Sequence, residues 1–198
     1  MLAAELFRHG CVLFGEFRLS SGALSPYYID LRRVPSFPRL LQTVVEAYIR
    51  KIREERIKFD RIAGIATAGI PIASVLAYRL EKPFLYVRKE EKTHGTGKRV
   101  EGVVEAGERV LLVDDVVTTG SNLLLAASAL REQGARVEDV LVLIDREQGG
   151  GAELERNGLK LHSCLKVTEL VSELREAGLV EDDRVRQVLD YVRGFRNV

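Results

Sequence analysis

Past residue 36 the chain alternates between two hydrophobic patterns. Short, largely apolar runs at 61–66, 84–87, 110–113, 137–144 and 159–165 predict β-strands. Between them apolar residues recur three and four apart, which predicts helices over 70–80, 122–133, 168–177 and 182–193. In the second of these, Leu123, Ala126, Ala127 and Leu130 share one face. A longer helix is expected to start at a Ser36 cap with Pro38 in its first turn. Its buried stripe is Leu41, Val44, Val45, Tyr48, Ile49 and Ile52. Strands apolar on both faces, alternating with amphipathic helices, predict an α/β fold with a central, mostly parallel sheet flanked by helices. Such sheets bind ligands beyond the carboxyl ends of their strands, so chemistry is sought in the loops that follow the strands.

Residues 1–35 stand outside this alternation. A helix over 2–9 stopped at Gly10, a strand over 12–19, a turn over 22–26 and a strand over 27–31 are expected there. They are too few to fold alone and predict a small flap or hood on a single domain spanning 1–198, with its core at 36–198. Thirty Lys and Arg against 29 Asp and Glu give a net charge of +1. No whole-molecule field favours nucleic acid or anionic lipid, and no apolar run is long enough to span a bilayer. Cys11 and Cys164 are the only cysteines and lack metal or disulfide-framework spacing. With no signal layout at the N-terminus, a reducing, cytoplasmic location is expected. His9 and His162 have no neighbours at metal-ligand spacing and are expected to be structural.

The stretch 110–121 reads VLLVDDVVTTGS. Adjacent carboxylates at a strand end repel unless a cation or a hydroxyl-rich ligand compensates. Thr118, Thr119, Gly120 and Ser121 at a helix start leave backbone N–H groups unpaired, and with the positive helix end they form an anion cradle. Acid pair plus cradle suits vicinal hydroxyls beside a phosphate, as in a ribose 5-phosphate. An acid pair alone also occurs in Mg²⁺ sites of nucleotidases and in receiver domains, which carry it on their first strand. With the hydroxyl-rich turn attached, the stretch resembles the motif by which type I phosphoribosyltransferases bind 5-phosphoribosyl 1-diphosphate (PRPP). The resemblance implies that Asp114 and Asp115 bind the ribose hydroxyls and that Val116, Val117, Thr118, Thr119, Gly120, Ser121 and Asn122 wrap the 5-phosphate. It also implies Mg²⁺ carried mainly by PRPP oxygens, at most water-bridged to Asp114, with no direct protein ligand.

The stretch 88–99 reads RKEEKTHGTGKR, a cationic run of the kind that ordinarily forms a solvated loop. Its GTGK is no Walker loop, since Lys92 stands where the first glycine belongs and Arg99 follows the lysine. RKEEKTHG resembles the catalytic loop of orotate phosphoribosyltransferases, R-K-x-x-K-x-H-G. That implies Arg88, Lys89, Lys92 and His94 as PRPP ligands, and Arg88, Lys92 and His94 as catalytic groups together with Asp115. Cations brought over the diphosphate stabilise its charge as the C1–O bond breaks, and a closed loop excludes water. The resemblance further implies a homodimer, with loop 88–99 acting on the neighbouring subunit's site and Lys89 serving its own.

Two further segments carry the same resemblance. FRLSSGALSPYYIDLR at 17–32 reads locally as strand, turn and strand with packed tyrosines, and resembles that family's flap. It implies Tyr27, Tyr28, Ser21 and Gly22 at the orotate site. ATAGIPIA at 66–73 resembles the loop that meets the diphosphate, implying contacts from Thr67, Ala68 and Gly69. Two lysines common in the family are replaced here, by Ser20 and Ala68. Asp145-Arg146 ends a predicted strand and is ordinarily a surface pair; in the family this arginine and the first threonine of the phosphate turn, here Thr118, bind orotate. The planar fork of Arg146 suits a carboxylate or ring carbonyl.

The resemblance covers nearly the whole chain. It implies a Mg²⁺-dependent transfer of phosphoribosyl from PRPP to orotate, giving orotidine 5'-phosphate and diphosphate in pyrimidine biosynthesis. The alternatives are a phosphoribosyltransferase for another base and a PRPP-sensing regulator. The flap and the cationic loop argue against the first; the lack of a basic nucleic-acid-binding segment argues against the second.

Overall fold

The computed structural model describes residues 1–19, 22–89 and 99–196. Helix α1 (Leu2–Arg8) leads into a hairpin of β1 (Val12–Arg18) and β2 (Leu24–Ile29). A 3-10 turn over Leu31–Ser36 precedes α2 (Pro38–Glu54). Then come β3 (Arg61–Ile65), α3 (Gly69–Arg79), β4 (Phe84–Val87), β5 (Val100–Glu101) and β6 (Val110–Val117). The chain continues through α4 (Ser121–Arg131), β7 (Asp139–Asp145), α5 (Gly150–Arg156), β8 (Lys160–Lys166), α6 (Val167–Glu176) and α7 (Asp182–Arg196). The central sheet runs β5-β4-β3-β6-β7-β8 and is parallel throughout except for β5, which pairs antiparallel with β4.

Strands β3, β4, β6 and β7 are apolar along most of their length because each face of the sheet has its own core. Leu111, Val113, Leu141 and Leu143 join residues of α2, α3, α6 and α7, while Val110, Leu112, Val140 and Val142 join α4 and α5. Each such side chain contributes roughly 1.5–3 kcal/mol by leaving water. Ala3, Leu6, Val12, Tyr27 and Leu31 belong to the first of these clusters, so α1 and the hairpin are fastened through side chains of α2 and α7. Among the described residues no helix is long and apolar enough to cross a membrane. His162 is buried with its Nε2 2.7 Å from Asp139 Oδ1, and His9 Nδ1 lies 2.8 Å from the Glu5 carbonyl.

Four features depart from the pattern-based expectation. Ser36 does not cap α2: it closes the 3-10 turn, and Phe37 precedes Pro38 with no side-chain cap. Proline at the first helical position needs no N–H partner, which makes that start sufficient. Strand β2 begins at Leu24, not at 27, so Ser25 and Pro26 lie inside it; an isolated two-stranded hairpin has open edges that tolerate proline. Strand β6 runs past 113 through Asp114 and Asp115 to Val117, held in register by Asp114↔Val142, Val116↔Ile144 and Val117↔Asp145. The acids interrupt the apolar run but not the ladder. Helix α5 and strand β5 were not expected, because α5 opens on two glycines and β5 has two residues.

Candidate active site

Strands β3, β4, β6 and β7 are parallel, so the segments 66–69, Arg88-Lys89, 118–122 and Arg146 all emerge at one end of the sheet. Asp114 is 8 % exposed. Its Oδ1 accepts the Asp115 N–H at 3.0 Å, and Asp115 Oδ1 accepts the Val116 N–H at 2.9 Å. Burial pushes the Asp114 carboxyl well above the ordinary carboxylate range, and the like charge of Asp115 adds to it. Burial raises Asp115 too, against hydrogen bonds from its neighbours. The Lys89 ammonium opposes both shifts. A buried acid pair whose carboxyls are both pushed up is a site short of hydrogen-bond donors and cations, and a polyhydroxyl ligand supplies the donors.

The strand carrying these acids is pinned from below. The Tyr48 hydroxyl of α2 donates to the Asp114 carbonyl at 2.7 Å, fully buried. From the side, α3 starts so close that a Cβ on Gly69 would lie 2.9 Å from both Asp114 Oδ1 and the Val113 carbonyl oxygen. Only glycine permits this approach, and it brings the start of α3 against Asp114. The Ala66–Thr67 peptide is cis.

Beyond β6 the chain turns through Thr118 and Thr119 into α4. Gly120 holds the N-cap position at φ +84°, a left-handed conformation open to glycine, and no side chain caps the helix. Thr119 Oγ1 and Ser121 Oγ lie 3.0 Å apart and exposed. Free first-turn N–H groups, exposed hydroxyls and the helix dipole make an anion seat. Asp114, Val116, Val117 and residues 118–123 line a pocket of about 80 Å³ there.

One strand over, Arg146 donates its N–H to the Val117 carbonyl at 3.1 Å, which sets it beside Thr118. Its guanidinium is buried, with Nε donating to the Tyr27 hydroxyl at 3.2 Å and Nη2 to Ser25 Oγ at 3.4 Å. The guanidinium carbon lies 4.8 Å from the Tyr27 ring centroid. Strand alternation puts Ser25 and Tyr27 on the face of β2 toward Arg146 and Tyr28 on the other. Tyr28 packs instead on Phe17, ring centroids 5.6 Å apart, and takes a 3.0 Å hydrogen bond from Arg32. The expected aromatic pair is thus divided between two faces, and only Tyr27 meets Arg146.

At the end of β4, Arg88 donates its N–H to the Arg99 carbonyl at 2.9 Å and pairs through Nε with Glu101 Oε1 at 3.2 Å. Arg99 bonds the Lys89 carbonyl. Gly22 is exposed and donates its N–H to the Leu19 carbonyl at 2.9 Å. Ser20, Ser21, Lys92 and His94 lie outside the described residues. Sequence reasoning missed Ser25, Tyr48, Gln148 and Tyr191. In the sequence Tyr48 falls within the apolar stripe of α2, although a buried tyrosine hydroxyl calls for a partner. Gln148 is nine-tenths buried two residues past Arg146, and its Nε2 has no hydrogen-bond partner among the described residues.

Residues 38–163 match the family described as phosphoribosyl transferase domain. The orotate phosphoribosyltransferase of Pyrobaculum aerophilum is 47% identical over 188 residues, covering 94% of this chain and 95% of that protein. The chain belongs to the orotate phosphoribosyltransferases. That makes it an enzyme of the pentosyltransferase class. The crystal structure of the orotate phosphoribosyltransferase of Aeropyrum pernix superposes with a TM-score of 0.78 at 37% identity, over 88% of this chain and 99% of that one. The Mycobacterium tuberculosis orotate phosphoribosyltransferase, solved in complex with PRPP, superposes with a TM-score of 0.69 at 26% identity, over 86% and 99%. The sheet and its flanking helices are therefore those of the type I phosphoribosyltransferase fold.

Proposed function

We propose that the protein transfers the phosphoribosyl group of PRPP to orotate, forming orotidine 5'-phosphate and diphosphate in pyrimidine biosynthesis. The observation that carries this reading is the meeting of two unlike half-sites at one end of the sheet. One is the acid pair beside an uncapped helix start; the other is Arg146, a buried cation with no carboxylate partner among the described residues. A buried cation without an anion is costly unless a ligand brings one, and orotate carries a carboxylate.

In this reading Asp114 and Asp115 accept hydrogen bonds from the ribose hydroxyls, and the N–H groups and hydroxyls of 118–122 hold the 5-phosphate. Thr67, Ala68 and Gly69 offer backbone to the diphosphate. Arg146, with Thr118 and Tyr27, turns the orotate ring so that its nitrogen faces C1 of the ribose; Ser21 and Gly22 complete the flap over it, and Tyr28, on the outer face of β2, braces that flap through Phe17. The C1–O bond breaks, its electron pair leaves on diphosphate, and the ring nitrogen bonds C1 as its N–H proton passes to the departing diphosphate. Arg88, Lys89, Lys92 and His94 neutralise the departing charge and exclude water, those other than Lys89 acting in the neighbouring subunit of a homodimer. With Ser20 and Ala68 in place of lysines, this loop carries more of that duty.

Hard carboxylate oxygens suit Mg²⁺, but two adjacent acids are a partial ligand set. Among the described residues no cluster of three or more His, Cys, Asp or Glu is arranged to hold a metal. That donor set fits an ion brought by PRPP, with Asp114 as an outer contact, and when bound it supplies further charge neutralisation on the diphosphate. A cytoplasmic enzyme working on free small molecules is the setting this implies.

The test is loss of orotate absorbance on adding PRPP and Mg²⁺, with uracil and hypoxanthine as alternative bases. Consumption of orotate alone is expected. Consumption of hypoxanthine or uracil in its place, or of no base, would overturn the reading.

A further inference from the structure

Arg146 owes its aim to Tyr27. The guanidinium stacks over that ring at 4.8 Å and donates to its hydroxyl at 3.2 Å, so a shift of the ring moves the cation. Tyr27 belongs to a hairpin that forms its own two-stranded sheet, and such a ribbon is marginal by itself. What holds the ring must come from outside the hairpin.

It comes from the C-terminal helix. The Tyr191 ring of α7 meets the Tyr27 ring edge-on, centroids 5.9 Å apart and planes at 84°. Phe195, one turn further, backs Tyr191 at 5.2 Å and 72°. The Tyr191 hydroxyl is buried and has no hydrogen-bond partner among the described residues. The contact is therefore made by the ring and not by a hydrogen bond. Phe195, Tyr191, Tyr27 and Arg146 form one continuous ladder from the far end of the chain to the end of β7. We infer that Tyr191 is a positioning residue for the base site: its ring fixes Tyr27, and through Tyr27 it sets the aim of Arg146. This rests on the proposed use of Arg146 for orotate, and it adds the last helix of the chain to the determinants of base binding.

The experiment measures KM for orotate and for PRPP separately in wild type, Tyr191→Leu and Tyr191→Phe, alongside thermal midpoints. Losing an edge-to-face pair is expected to raise the orotate KM of Tyr191→Leu roughly tenfold. Its PRPP KM should stay within about twofold, because the ladder does not reach the acid pair. Tyr191→Phe keeps the ring and should match wild type in both. A folded Tyr191→Leu with unchanged orotate KM, or with both KM values rising together, overturns the inference. So does a Tyr191→Phe defect as large as that of Tyr191→Leu, which would move the role from ring to hydroxyl. If Tyr191→Leu does not fold, Phe195→Leu at the exposed end of the ladder should give a smaller, orotate-selective rise, and none would overturn the inference. Wild type separates the two levels: failure to use orotate sinks the proposed function, whereas normal wild-type activity with unselective variants sinks only the role of Tyr191.

Discussion

Asp114→Asn should stabilise the ligand-free protein while disabling it. Asp114 is 8 % exposed, and among the described residues the hydrogen bond accepted by its carboxylate is the Asp115 N–H. An amide oxygen can accept the same bond, and the new NH₂ can donate to Asp115, turning repulsion into attraction. Leaving a buried polar group unsatisfied costs about 1–3 kcal/mol, and a charged one more, so the amide should return at least about 1–3 kcal/mol. For a chain of this size that is a rise of roughly 2–12 °C in Tm. The pH dependence gives the sharper check. Burial raises the folded-state pKa of Asp114, so the folded state holds its proton more tightly than the unfolded one. Wild-type stability therefore falls as pH climbs from the unfolded value near 3.9 through the raised folded value. The advantage of the asparagine variant should be full above that folded value and vanish as pH drops toward about 4. Thermal denaturation across that range, without ligand, measures it. A variant less stable than wild type at pH 8, or an advantage independent of pH, would refute the electrostatic account of the acid pair.

Gly69→Ala sets a Cβ 2.9 Å from Asp114 Oδ1 and the Val113 carbonyl; it should cost about 1–3 kcal/mol in urea denaturation and raise the PRPP KM more than the orotate KM. Arg146→Ala should lower orotate kcat/KM by about 10–100-fold with PRPP binding by calorimetry unchanged, since one charge-assisted contact is worth about 1.5–3 kcal/mol. Lys92→Ala should cut turnover about tenfold or more without lowering Tm, as loss of a charge-stabilising donor does. Mixing Lys92→Ala subunits with Asp115→Asn subunits should then restore activity if loops act across the dimer; no recovery after verified subunit exchange would count against sharing.

The order of elements could be read from the sequence because the sheet is covered on both faces, so its inner strands announce themselves as short apolar runs. Where β6 carries Asp114 and Asp115, that signal stopped four residues before the ladder did. The phosphate turn was readable for a different reason: threonine, glycine and serine before a helix state their chemistry locally. The base site was readable only through the resemblance, which names Arg146 and Tyr27; local pattern could not pair them, since Arg146 meets Ser25 and Tyr27 across more than a hundred residues. A strand expected to start at 27 leaves Ser25 outside it and makes Tyr27 and Tyr28 look like one surface, although a strand sends neighbours to opposite faces. Tyr48, Gln148 and Tyr191 sit in helical or loop patterns that look like ordinary packing, and only the tertiary contacts separate them from it.

The central claim is that a ribose phosphate seats between the acid pair and the start of α4, and a crystal soaked with PRPP and Mg²⁺ tests it most directly. The account predicts ribose hydroxyls on Asp114 and Asp115 and the 5-phosphate against the N–H groups of 118–121. Ligand found elsewhere, for instance in the 740 Å³ groove between Lys160 and Lys166, with the acid pair left bare, would contradict it.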